Sequence, residues 1–201
     1  MGDFRAIADT SEALAKRIQD GLRTEPTLAD MFSDIGRISD ASPADLDNDG
    51  GDALLSIFLY RVNEDPHLKN QPPVAGTGGR LRRAPLTLDL HYLLTPLMAD
   101  MRSRQLALGK VMQVLSDHSS LAGADLTGSL AGDPPLRIVL NPLTMAELGQ
   151  VWGALGARYR LSLSYTVRVT AVDSSAERSM SRVFDRDSSF GARSEPLAVE
   201  S

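Results

Sequence analysis

The chain has 201 residues, 42% of them hydrophobic, with no cysteine and a formal net charge of −5 at pH 7. That size fits one domain with arms or two small domains; the acidic balance argues against a nucleic-acid binder, and the lack of cysteine excludes a disulfide framework, a cysteine nucleophile and thiolate metal sites. Met1–Ala6 lacks the layout of a signal peptide, and no apolar run approaches the roughly 20 residues of a membrane span, so a soluble, cytoplasmically made protein without a membrane partner is expected.

Phe4, Ile7, Ser11, Leu14, Ala15, Ile18 and Leu22 recur at three- and four-residue steps, which predicts an amphipathic helix over Phe4–Leu22. Gly21 weakens its last turn and Pro26 stops it. A place in the chain's own core is favoured over packing on a partner. Thr24–Asp52 reads as acidic and irregular, with one short helical turn where Ser42-Pro43-Ala44-Asp45 has capping-box spacing. Asp45, Asp47 and Asp49 before Gly50 match the opening of a calcium loop, but Ser56 stands where the closing glutamate belongs. A solvated acidic turn is the better reading, and no metal is expected.

Ala53–Val62 is nearly all apolar and predicts a strand buried on both faces. Asn63–Ala84 gathers prolines, glycines and bases and reads as a long loop. Gly76–Arg80 there is no phosphate cradle, since no Gly-Lys-Ser/Thr follows. Lys69, Arg80, Arg82 and Arg83 make the loop the basic patch of an acidic chain, suited either to an acidic partner surface or to plain solvation.

Pro85–Pro96 carries the clearest pattern. Leu86, Leu88, Leu90, Tyr92 and Leu94 share one face of an extended chain; Thr87, Asp89 and His91 take the other. This predicts a central strand, antiparallel to Ala53–Val62. A helix over Ser103–Asp117 follows, with Leu108, Val111, Met112 and Leu115 as its stripe. Leu136–Leu140 is a short strand. Thr144-Met145-Ala146-Glu147 is a full capping box opening a helix over Met145–Leu155, striped by Leu148, Val151, Trp152 and Leu155 and closed by Gly156. Leu161–Asp173 alternates as the longest strand, long enough for its far end to pair outside a single compact sheet. In the polar tail Ser174–Ser201, Val183, Phe184, Phe190, Pro196 and Leu197 are the apolar anchors.

No catalytic kit emerges. His67, His91 and His118 lie far apart, no Gly-x-Ser-x-Gly elbow occurs, and Asp89 with His91 reads as a hydrogen-bonded structural pair on a sheet rather than an acid–base pair. No enzyme and no cofactor are expected.

Five segments taken together, Ser56–Pro73, Pro85–Pro96, Leu108–Leu121, Leu136–Gly156 and Tyr159–Val169, resemble a bacterial family of cap, or tail-terminator, proteins of extracellular contractile injection systems of the antifeeding-prophage and virulence-cassette type. The Leu59-Tyr60-Arg61 strand end before Asn63, the Leu90-His91-Tyr92 strand and the Trp152–Gly156 helix end carry the likeness. Ser119, where the family usually has proline, departs from it. The resemblance implies a structural role: a six-fold ring closing the distal end of the inner tube and sheath, stopping polymerisation and anchoring the last sheath layer. Partners would be copies of itself and the tube and sheath subunits. Lys69, Arg80, Arg82 and Arg83 would meet the tube or an adjacent subunit, and Phe184 and Phe190 would pin the tail to a neighbour. The rivals are an adaptor joining cargo or a membrane component to the particle, and an enzyme built around Asp89 and His91. The expected fold is a single α/β (α+β) domain over residues 1–173. It has a mixed, mainly antiparallel sheet of Ala53–Val62, Leu86–Leu94, Leu136–Leu140 and Leu161–Asp173 under three helices, and 174–201 is an extended arm.

Overall fold

The computed structural model describes residues 4–48, 52–65, 74–75, 80–82, 86–172 and 177–179. Their elements run α1 (Ala6–Arg23), α2 (Pro26–Ala29), β1 (Ile38–Ser39), α3 (Pro43–Asn48), β2 (Leu55–Glu64), β3 (Val74–Ala75), β4 (Arg80–Arg82), β5 (Leu86–Pro96), α4 (Met101–Asp117), β6 (Ser120–Leu121), β7 (Leu136–Leu140), α5 (Met145–Ala154), β8 (Leu163–Val172) and β9 (Glu177–Ser179). The class is the expected mixed α+β. Among the described residues, however, the main sheet has six strands in the order β1-β2-β5-β8-β7-β6, not four, and there are five α-helices, not three. The additional pieces are two-residue strands and one- or two-turn helices, too short to show a period.

β5 is central as predicted, flanked antiparallel by β2 and β8. Leu88, Leu90, Tyr92 and Leu94 enter the core with Leu55 and Ile57 of β2 and Val167 and Val169 of β8. Against this face lie α1, through Leu14, Ile18 and Leu22, and α4, through Ala107, Val111 and Leu115. Burial pushes the Tyr92 hydroxyl up to about 12, partly offset by a 2.9 Å hydrogen bond with Ser11 Oγ of α1. α1 therefore packs on its own core. Phe4, read as part of its apolar face, lies before the helix and is exposed. Gly21 does more than weaken a turn: a Cβ there would sit 2.2 Å from Val114 Cγ2, so glycine lets α1 approach α4 closely. Met112, counted in the α4 stripe, is exposed, and Val114 is buried in its place.

Thr24–Asp52 is more ordered than expected, with α2, β1 and α3 within it. The short helical turn forms as predicted, but Ser42 Oγ accepts the Ala44 N–H at 3.1 Å and not the Asp45 N–H of a capping box. Asp45 lies in the first turn of α3, a helix where a calcium loop would need a turn; Asp49 and Gly50 lie outside the described residues. β2 is not buried on both faces: its burial fades after Ile57, and a register shift between Leu59 and Arg61 marks a bulge at Tyr60.

The loop expected over Asn63–Ala84 contains β3 and β4, and the tail contains β9. These form a second sheet in the order β3-β4-β9. β3 follows β2, β4 precedes β5 and β9 follows β8 in the chain, so the three central strands each have a counterpart in the smaller sheet, in the same order. The far end of β8 itself stays in the main sheet, with Val172 in register with Leu86, so the pairing outside that sheet comes from β9 and not, as expected, from the end of the long strand. No helix among the described residues is long and apolar enough to cross a membrane.

Candidate functional site

On the sheet face away from α1 and α4, α5 forms one wall of an open groove of about 720 Å³. Thr144 fixes the start of α5: its Oγ1 accepts the Glu147 N–H at 3.3 Å while Glu147 Oε2 accepts the Thr144 N–H at 2.8 Å, the predicted capping box. The Thr144 N–H and hydroxyl, both donating to Oε2, hold the Glu147 carboxyl below the usual range. Gly156, at φ +63°, turns the chain away after the helix, as expected of the residue past a helix end. Trp152 is buried and meets the Tyr159 ring edge-on at 6.3 Å; Leu148, Val151 and Leu155 are only half-buried.

The opposite wall and floor come from β2 and β5. The bulge at Tyr60 turns both Tyr60 and Arg61 toward the groove, where they meet His91. The Tyr60 hydroxyl lies 3.0 Å from Ser164 Oγ, and its ring is tilted against the imidazole at 6.0 Å. His91 Nε2 is 3.3 Å from Asn63 Nδ2, and Nδ1 is 3.0 Å from Thr166 Oγ1. Burial pushes this imidazole below its ordinary value; the Arg61 cation adds to the effect and Asp89 opposes it.

Asp89, one pleat along, faces Arg168 instead: Arg168 Nε donates to Oδ1 at 2.9 Å and Nη2 to Oδ2 at 3.4 Å. The buried Asp65 carboxylate lies 3.3 Å from the same Nε. Asp89 and His91 are thus both hydrogen-bonded, as predicted, but to partners on neighbouring strands and not to each other. A proton relay between them has no direct path. Among the described residues no group of three or more histidine, aspartate or glutamate side chains is placed to hold a metal ion.

Three of the segments that carry the sequence resemblance converge on this groove. Tyr60, Arg61 and Asn63 come from the β2 end, His91 from β5, and Ala154 and Leu155 from the end of α5. Sequence reasoning missed the convergence because partners such as His91 and Thr166 stand 75 residues apart. Of the residues singled out as interface candidates, Arg80 and Arg82 fall on β4, in register with Ser179 and Glu177 of β9. Lys69, Arg83, Phe184 and Phe190 lie outside the described residues.

Among solved structures, the chain is similar to the sheath/tube terminator, in its extended state, of an extracellular contractile injection system termed PVC. The match has 25% identity, covers 72% of this chain and 52% of that one, and has a TM-score of 0.50. It is also similar to the tube-terminating cap of the anti-feeding prophage, at 23% identity over 71% of this chain and 51% of that one, with a TM-score of 0.47. The chain thus spans about half the length of each. No curated protein matches the sequence. The family model described as the Pvc16 N-terminal domain matches residues 9–185, and the chain belongs to that family.

Proposed function

We propose that this protein is a structural cap, or tail terminator, of a contractile injection particle. It closes the distal end of the inner tube and sheath as a ring and anchors the last sheath layer. The observation that carries this reading is the likeness to a sheath/tube terminator over 72% of the chain, within a family matched over residues 9–185. A non-catalytic role is supported by the face opposite the core, where Asp89 and His91 are each held by a neighbouring strand. The protein assembles in the bacterial cytoplasm and then travels as part of the particle. Arg80 and Arg82, with Lys69 and Arg83, meet the tube or an adjacent subunit; Phe184 and Phe190 pin the tail to a neighbouring subunit. Composition is what supports both assignments.

The test is to produce the particle with and without this protein and image the tubes. A terminator gives tubes of defined length, capped at one end; its removal gives tubes of uncontrolled length and sheath that detaches. Tubes of normal length with intact ends in its absence would refute the reading and favour an adaptor. Reversing the four basic residues, or truncating after Asp173, should each abolish capping. Normal capping by either variant removes the corresponding assignment.

A further inference from the structure

The protein is electrostatically lopsided along its sheet. Residues 24–52 hold eight carboxylates against one arginine, Arg37. They flank β1, one edge of the main sheet, where Asp34, Asp40, Asp45 and Asp52 are exposed. Residues 134–172 hold four arginines against one glutamate, Glu147, which the capping box engages. Of those arginines, Arg168 is held by Asp89 and Asp65, while Arg137 and Arg158 are exposed with no ion pair among the described residues.

The β7 flank also carries apolar surface. Val139 is 53% exposed, Tyr159 50%, Leu140 41% and Leu161 38%. Leu140 in β7 aligns with Tyr165 of β8, and Asn141 N–H bonds Ser164 O, so Val139 and Leu140, on opposite faces of the strand, stand at the end of the sheet where β7 finishes and β8 begins, and Tyr159 and Leu161 lead into β8 there. The β7 edge is open there. Ile138 N–H turns outward to Ser119 O at 2.8 Å; by antiparallel alternation the Leu140 N–H points the same way, but β6 reaches only as far as the Leu136–Arg137 register. β1 lies at the same end of the sheet, because Leu55 aligns with both Ile38 and Pro96, and Leu94 with Leu163. Four strand spacings, about 19 Å, separate the two flanks. An exposed apolar residue, Ile35, stands beside Asp34 on the acidic side.

We infer that the apolar, arginine-bearing flank of β7 docks the acidic flank beside β1 of a second copy, so that protomers join head to tail. Two different, complementary patches on opposite edges are what a heterologous contact requires, whereas a two-fold contact needs one self-complementary patch. The inference deepens the terminator reading by naming the surfaces through which copies would meet. Charge sets register and approach, while Val139, Leu140, Tyr159 and Leu161 supply the area that excludes water.

The experiment is a charge swap on the full chain, read by sedimentation velocity over a range of concentrations. One variant carries Arg137→Glu and Arg158→Glu, the other Asp40→Arg and Asp52→Arg. All four positions are exposed, so melting temperatures should stay at the wild-type value. The wild type should associate, less so at high salt. Each variant alone should associate about tenfold or more weakly, because two charges of one flank then repel the flank they are meant to meet. An equimolar mixture of the variants should recover wild-type association, since each then supplies the flank that the other has lost. A wild type that stays monomeric, a variant that associates as well as the wild type, or a mixture that fails to recover would each overturn the inference. Binding of the same proteins to purified sheathed tubes separates this from the terminator reading. A monomer that caps tube ends sinks the flank pairing alone, whereas a head-to-tail assembly that ignores tube ends sinks the terminator reading alone.

Discussion

Replacing Gly21 by alanine tests the closest approach in the core. A Cβ at this position would lie 2.2 Å from Val114 Cγ2, 2.8 Å from Cγ1 and 3.0 Å from Cβ. Carbon atoms pack without repulsion at about 3.5–4.0 Å, so the shortest contact falls short by more than 1 Å. A valine on a helix has essentially one free χ1 rotamer and cannot swing aside. Two effects therefore compete. Alanine gains up to about 1 kcal/mol of helix propensity over glycine, less near the last turn of α1, where residue 21 sits. Overpacking of two helices costs about 1–3 kcal/mol, and a gap this short belongs at the upper end. The expected outcome of Gly21→Ala is a net loss of about 1–2 kcal/mol in urea unfolding. Val114→Ala alone should cost about 1–2 kcal/mol for its buried methyl groups. In the double variant the new methyl occupies the vacated space, so the losses should not add: stability should exceed the additive expectation by about 1 kcal/mol or more. A Gly21→Ala protein more stable than the wild type, or strict additivity in the cycle, would show that α1 and α4 do not meet at this distance.

Arg168→Met should cost about 2 kcal/mol, less than for a fully buried pair because Arg168 is half-exposed. Most of that should return only when both carboxylates are neutralised as well, in the Asp65→Asn, Asp89→Asn, Arg168→Met variant, as urea unfolding would show. His91, whose folded pKa is lowered, binds fewer protons folded than unfolded below pH 6.5. Its contribution is therefore full above that value and is lost as pH falls through the folded pKa. Between pH 7.5 and 5 the wild type should lose more stability than His91→Gln, and parallel curves would refute this. Thr144→Ala removes the hydroxyl half of the capping box and should cost about 1 kcal/mol, with rescue by Thr144→Ser.

What the sequence makes legible here is whatever repeats over several turns or pleats. The alternation of Leu86 to Leu94 between two prolines locates the central strand, and Thr144 with Glu147 locates the start of α5. Both are visible because period and cap are local. The bulge at Tyr60 is not visible, since nothing in Leu59-Tyr60-Arg61 says that two residues will share one pleat of the partner. β1 and β6 have two residues each, less than one period. Gly21 looks like a flaw in a helix until Val114, 93 positions further on, is seen against it. The candidate groove shares this limitation, because its floor pairs side chains of β2 with side chains of β5 and β8 that no local spacing connects.

The polar residues of this fold bear on function through what they leave unoccupied. On the face opposite the core, Asp89, His91, Asn63, Thr166 and Arg168 bond one another across three strands, and a group engaged in this way holds strands in register at the expense of reactivity. Exposed carboxylates lie instead beside β1, and Arg137 and Arg158, without an ion pair among the described residues, lie with exposed Val139 and Tyr159 toward β7. An enzyme concentrates perturbed groups in a cleft, whereas an assembly protein distributes matched surfaces around its rim. The proposed terminator role calls for the second arrangement, which is why its test lies at the sheet edges and not in the groove.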